Sequence, residues 1–176
     1  MAVSIESVKK LRDMTLASVA DCKKALDDAK GDLNQANELL KKRGLEIAAK
    51  KASRVANQGR IEGYVHTGNK IGVLLEVNCE TDFVARNEDF QRFCKDVAMQ
   101  VAASDPKFIK PEDAPADDAK DLDDKAKKEY MKSHCLLSQP FIKDPGKTIQ
   151  DCLTALVARI GENIVIRRFA RYKIGE

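Results

Sequence analysis

The stretch GRIEGYVHTGNKIGVLLEVN, residues 59–78, alternates with a period of two on either side of a polar centre. Ile61, Gly63 and Val65 share one face, and Ile71, Val73, Leu75 and Val77 share another, because successive side chains of an extended chain point to opposite sides. Thr67, Gly68, Asn69 and Lys70 between them are residues that tolerate a tight reversal. The stretch predicts an antiparallel hairpin and puts a sheet in the second part of the chain.

Downstream the period becomes helical. Phe90, Phe93, Cys94, Val97, Val101 and Ala102 fall on one stripe that starts at Asn87 and ends at Asp105-Pro106, predicting a helix that covers the sheet. Residues 104–129 carry Pro106, Pro111 and Pro115, with six Asp between 113 and 124, a composition that predicts a solvated connection. The acidic excursion is expected to extend over about 104–135. Order returns with Ile149, Leu153, Leu156, Val157 and Ile160 at helical spacing and Gly161 as C-cap. Ile164, Ile166 and Phe169 then form a closing strand.

Upstream, residues 1–44 predict three short helices. The first uses Ile5, Val8 and Leu11. Ser18 caps the second, with Cys22, Ala25, Leu26 and Ala29 before Gly31, and Asp32 caps the third, with Leu33, Ala36, Leu39 and Leu40 before Gly44 as a stop. Residues 45–58 are Ala-rich without Gly or Pro and predict a helical linker. The expected organisation is an N-terminal helical module with its linker at 1–54 and a two-layer α+β core at 55–176, antiparallel sheet on helices.

Composition narrows the function. With 31 basic and 28 acidic residues among 176, the net charge of +3 is too balanced for a dedicated polyanion binder, and no Trp with three Tyr and six Phe leaves few stacking platforms. No direct nucleic-acid role is expected. Five scattered cysteines without a C-x-x-C pair read as reduced thiols in a cytosolic core. No apolar run approaches the roughly 20 residues of a membrane span, so no membrane partner is expected. With no leader or transit peptide visible, the expected location is cytoplasmic.

Chemistry-bearing motifs are few. Gly146-Lys147-Thr148 resembles the tail of a phosphate-binding loop, but the earlier Gly that such a loop needs is replaced by Phe141 and Pro145 removes an N–H donor. Thr148 is better read as a helix N-cap, with Asp151 completing a capping-box-like pair. His66 and His134 are the sole histidines, and neither Cys79 nor Cys135 has a base at a spacing that would activate it. The expectation is no catalytic residue, no metal ligand and no cofactor. The basic run Arg159, Arg167, Arg168, Arg171 and Lys173 reads either as a phosphate-binding edge or as a solvated strand edge guarded by charge.

The most informative segment is NCETDFVARN, residues 78–87, which leaves a strand and enters a helix. From the residues alone, Asp82 is either a helix N-terminal anion or a contact, and Phe83-Val84 either plugs the core or projects from a corner. This run is similar to the signature of the elongation factor Ts family. So are LRDMTLASVADCKKAL at 11–26, GDLNQANELLKKRG at 31–44, AAKKASRVA at 48–56 and ARIGENIVIRRFARY at 158–172, in order.

The resemblance implies a ubiquitin-associated-like N-terminal module and a guanine-nucleotide exchange factor of translation elongation, not an enzyme. The implied partner is the GTPase elongation factor Tu with GDP bound. Thr81, Asp82, Phe83 and Val84 would meet its nucleotide domain, Phe83 disturbing the magnesium site. Arg12, Val19 and Ala20 would hold a second surface of that domain, Val19-Ala20 standing where many relatives carry Met. The chain resembles short members of the family, which implies a homodimer. A competing function is a ubiquitin-associated-like module docking ubiquitin or the ribosome. Against it, Met14-Thr15-Leu16-Ala17 lacks the Gly-aromatic pair usual in ubiquitin binders.

Overall fold

The structure, a computed structural model, describes residues 3–15, 17–115 and 122–176. Leu16 and the middle of the Asp-rich run lie outside the described residues. The elements are α1 (Ile5–Thr15), α2 (Val19–Asp28), α3 (Leu33–Lys51), β1 (Gln58–Val65), β2 (Ile71–Cys79), α4 (Asp82–Ala85), α5 (Glu88–Ser104), α6 (Asp124–His134), β3 (Pro140–Phe141), β4 (Asp144–Thr148), α7 (Ile149–Ile160) and β5 (Ile164–Lys173). The class is α+β with an N-terminal helical module. Two compact units form, Met1–Val55 with Leu153–Asn163, and Ala56–Cys152 with Ile164–Glu176.

In the first unit, α1, α2 and α3 close on Leu11, Cys22, Ala25, Leu26, Ala29 and Ala36, with Val8, Leu33 and Leu40 at the margin. Both expected caps form. Ser18 accepts from Asp21 N–H (3.1 Å), and Asp32 accepts from Asn34 and Gln35 N–H (2.8 and 2.9 Å). Ile5 and Leu39, counted into the apolar stripes, face solvent instead, because three helices around so small a core bury only a narrow seam of each.

Gly44 is not a stop. α3 runs through it to Lys51, and a methyl at Gly44 would already touch Thr154 Cγ2 at 3.4 Å and Ala158 Cβ at 3.8 Å, so the glycine allows α7 to pack closely. Its intrinsic cost in a helix, about 1 kcal/mol against Ala, is offset by that approach. The linker is helical only to Lys51. The turn after it is pinned by the buried Asn163, whose amide donates to the carbonyls of Arg54 (2.7 Å) and Ala52 (3.4 Å).

In the second unit, β1, β2 and β5 form an antiparallel sheet in the order β1-β2-β5. Gly59 opens β1 at φ 150°, where an added Cβ would sit 2.3 Å from the Val77 carbonyl oxygen, so the pairing requires glycine. Val73, Leu75, Val77 and Cys79 with Ile164 and Ile166 face inward, and α5 covers them with Phe90, Phe93, Cys94, Val97, Ala98, Val101 and Ala102, all buried. The three-residue step from Ile166 to Phe169 is absorbed by a bulge opposite Glu76/Val77, which keeps both on the inner face.

Cross-strand partners share a face, so pairing of Ile61 with Glu76 and Gly63 with Leu74 turns the apolar side of β1 outward. Its inward side carries Arg60, Glu62 and Tyr64. Glu62 is buried and accepts from Arg60 Nε at 2.6 Å, as a buried carboxylate requires.

The expected excursion over 104–135 holds more structure than its composition suggested. α6 is capped by Asp123, which accepts from Ala126 N–H at 2.7 Å; aspartates that signalled solvation also serve as caps. Phe108 bridges to Cys135, both buried. The buried Gln100 and Gln139 tie the following hairpin to α5: Gln100 accepts from Ile142 N–H (2.9 Å) and Gln139 donates to the Ser133 carbonyl (2.8 Å).

Candidate functional site

β2 ends at Cys79, and the chain turns through Glu80 into the single helical turn α4. Thr81 is its N-cap, its hydroxyl accepting from Val84 N–H at 3.4 Å. Asp82 pairs with Arg86 one turn on, at 3.0 Å, both exposed. Gln91 from α5 donates to the Arg86 carbonyl at 3.2 Å, and Asn87 caps α5 by accepting from Asp89 and Phe90 N–H. From inside, the Cys79 thiol donates to the Thr81 carbonyl at 3.1 Å.

These bonds leave Phe83 80% exposed, while Phe90, seven residues on, is fully buried. Phe83 is therefore no core plug. Leaving a phenyl ring in water forgoes about 1.5–3 kcal/mol of burial, and the caps hold it there. Of the residues expected to act together, Thr81, Asp82, Phe83 and Val84 form one corner, with Asp82 and Phe83 exposed and Thr81 and Val84 half-buried.

Arg12, Val19 and Ala20 belong to the other compact unit, Arg12 in the last turn of α1 and Val19-Ala20 opening α2. All three are exposed. Arg43 of α3 pairs with Asp21 at 2.6 Å and steadies the start of α2.

The remaining candidates resolve differently. Thr148 and Asp151 form a reciprocal cap, Thr148 N–H donating to Asp151 Oδ2 (2.9 Å) and Asp151 N–H to Thr148 Oγ1 (3.1 Å), so Gly146-Lys147-Thr148 is strand end and helix start. Cys135 is buried and donates to the Ile109 carbonyl, while His134 beside it stacks on Tyr130. Burial pushes the Cys94 thiol up to about 12 and the Cys152 thiol up to about 11, far from thiolate. In the basic run, Arg168 pairs with Glu76, Arg171 with Asp105 and Glu176, and Lys173 with Glu176, which fits a charge-guarded edge. Among the described residues no group of three or more His, Cys, Asp or Glu is placed to hold a metal ion, and no helix is long and apolar enough to cross a membrane.

Residues 3–129, which include the α4 corner, match the family model described as Elongation factor TS. The chain belongs to the elongation factor Ts family. It is 46% identical to the elongation factor Ts of Caldanaerobacter subterraneus subsp. tengcongensis, over 99% of this chain and 98% of that protein. It is 43% identical to that of Carboxydothermus hydrogenoformans, with 90% of that protein covered, and 48% identical to that of Anaeromyxobacter dehalogenans, with 89% covered. Elongation factor Ts membership implies a nucleotide-exchange role in translation elongation.

Of three supports of this elongation factor Ts corner, Arg86 was legible in the sequence, since Asp82 and Arg86 stand four apart on a helix. The Cys79 thiol and the Gln91 amide were not, because their bonds depend on how the turn between β2 and α5 folds back.

Proposed function

We propose that the chain binds elongation factor Tu in its GDP form and releases the GDP, using two contact surfaces. The module at 1–54 offers Arg12, Val19 and Ala20, and the core at 55–176 offers Thr81, Asp82, Phe83 and Val84. The observation that carries this reading is Phe83, 80% exposed on a capped single turn. A ring held in water gains by entering a crevice of another protein. Where the crevice opens only in the nucleotide-free state, its burial favours that state by about 1.5–3 kcal/mol, or roughly ten- to a hundredfold. Linkage then weakens GDP by the same factor. Asp82 stands beside it, and displacement of the magnesium site would follow from the intrusion. GTP entry then releases the factor, and the chain consumes nothing. Such a partner places the chain in the cytoplasm.

The outer sheet face supports a second element of the proposal, a homodimer. Val65, Gly72 and Tyr172 form one cross-strand row, Gly63, Leu74 and Ala170 the next, and Ile61, Glu76 and Arg168 a third. Ile61, Val65 and Tyr172 are each about two-thirds exposed or more (67%, 66% and 72%). An open hollow of about 310 Å³ lies at the hairpin end, lined by Val65, Ile71, Tyr172 and Ile174. A largely apolar face carrying the Glu76–Arg168 pair can meet the same patch of a second copy about a two-fold axis.

The test is stopped-flow release of fluorescent GDP from purified elongation factor Tu. Acceleration that saturates with added chain supports the reading. Release at the spontaneous rate, whatever the concentration, would defeat it.

A further inference from the structure

We propose that Cys79 is a positioning residue for Phe83: its thiol ties the start of α4 to the sheet and thereby sets where the ring projects. The inference rests on the reading of Phe83 as the contact that drives exchange.

A four-residue helix cannot hold itself, since one turn closes too few hydrogen bonds to repay the ordering of its backbone. None of its residues is fully buried; Val84 and Ala85 are half-buried against β1, β2 and α5, so packing holds one side of the turn but does not order its ends. What remains is its ends. At the far end Gln91 grips the Arg86 carbonyl from a helix surface. The Asp82–Arg86 pair is exposed on both sides and contributes little. At the near end the Thr81 hydroxyl accepts from Val84 N–H at 3.4 Å, and the Thr81 carbonyl accepts from Ala85 N–H at 3.3 Å and from the Cys79 thiol at 3.1 Å.

The thiol differs from the other ties in where it stands. Cys79 is fully buried, the last residue of β2, paired on one side with Gln58 and on the other with Ile164. A bond from a central strand, made where water is excluded, fixes the Thr81 peptide to the most rigid part of the unit. Thr81 directs the next two residues, and Phe83 is the second of them. Loss of the thiol hydrogen leaves the sheet unchanged and frees the turn.

The test compares Cys79→Ala, which removes the donor, with Cys79→Ser, which keeps one. Hydrogen exchange of the Val84, Ala85 and Arg86 amides is followed in the full chain, with GDP release measured in parallel. Cys79→Ala is expected to speed exchange at these amides roughly two- to tenfold and to lower the maximal stimulated release rate by a similar factor, the size of one hydrogen bond. The half-saturating concentration should move less than about twofold, and Cys79→Ser should stay near wild type in both assays.

Unchanged amides in a folded Cys79→Ala protein would overturn the proposal. So would equal damage from Ala and Ser, which would point to packing of the sulfur instead. If Cys79→Ala does not fold, Cys79→Ser decides alone: freed α4 amides in a folded serine variant overturn the tether, and wild-type protection supports it. If wild type fails to release GDP while the amides still distinguish Ala from Ser, the exchange reading falls and the tether stands.

Discussion

The α4 corner and the outer face of the sheet both leave apolar side chains in water, on opposite plans. The corner offers one ring on a turn with no buried residue, held by caps. The sheet face spreads Ile61, Leu74, Val65 and Tyr172 over three strands whose register is fixed by a covered inner face. A single ring can favour one state of a partner over another, because it is buried or not according to that state. A broad rigid face discriminates little between states but can bury enough area to hold a constant partner. On the proposed function, differential binding would fall to the corner and lasting assembly to the face.

Leu74→Lys puts a charge in the middle of the face, and at a two-fold interface each copy brings its own, a cost of several kcal/mol. The proposed dimer should weaken by roughly a hundredfold or more, seen as the 19.5 kDa single-chain mass in sedimentation equilibrium. Leu74 is 55% exposed, so the melting temperature of the isolated chain should hardly move. A variant that still dimerises would show that this face is not the interface.

At the corner, Phe83→Ala should slow stimulated GDP release roughly tenfold or more, with thermal unfolding close to wild type because the ring is exposed. Phe90→Ala is the contrast within one segment. That ring is buried, and its truncation should cost about 3–5 kcal/mol of stability. Normal release by a folded Phe83→Ala protein would remove the ring from the mechanism.

The same segment shows what is legible in a sequence. The hairpin, the α5 stripe and the caps at Ser18, Asp32 and Thr148 could be read because each depends on residues within a few positions of one another. Gly44 misled because a stop and a close-packing glycine look alike until α7, more than a hundred residues on, arrives against it. The face of β1 could not be assigned from Ile61, Gly63 and Val65, since alternation gives two faces and only pairing with β2 says which is covered. α6 was hidden by Asp and Lys, whose composition argues for solvent whether or not the backbone is helical. At the corner, composition left Phe83 undecided between plug and projection, and the family resemblance supplied the contact role.

The N-terminal surface should behave differently from the corner. Val19 is 56% exposed, so further burial against a partner is worth about 1 kcal/mol. Val19→Ser should raise the half-saturating concentration in the release assay roughly fivefold while leaving the maximal rate within about twofold, the signature of binding that does not distinguish states. A fall in maximal rate instead would make this surface part of the exchange step and remove the distinction from Phe83.

The smallest effect concerns the one charge pair on the outer face. Arg168 Nε donates to Glu76 at 2.6 Å, and that hydrogen bond holds the Glu76 carboxyl below its ordinary 4.5; partial burial opposes it, and Arg168's charge, Asn78 and Arg167 assist. A depressed carboxyl contributes stability that is complete above the ordinary value and is lost as pH falls through the folded one. If the face is the dimer interface, association should be level from pH 8 to about 5, then weaken below about 4.5 by a few-fold as Glu76 protonates and leaves Arg168 unpaired. Glu76→Gln should weaken the dimer slightly at neutral pH and flatten the acid step, with GDP release per chain unchanged, since the corner does not use this pair. An acid step that persists in Glu76→Gln would place the titrating group elsewhere and detach the pair from assembly. Light scattering of both proteins between pH 7 and 3.5 separates the two outcomes.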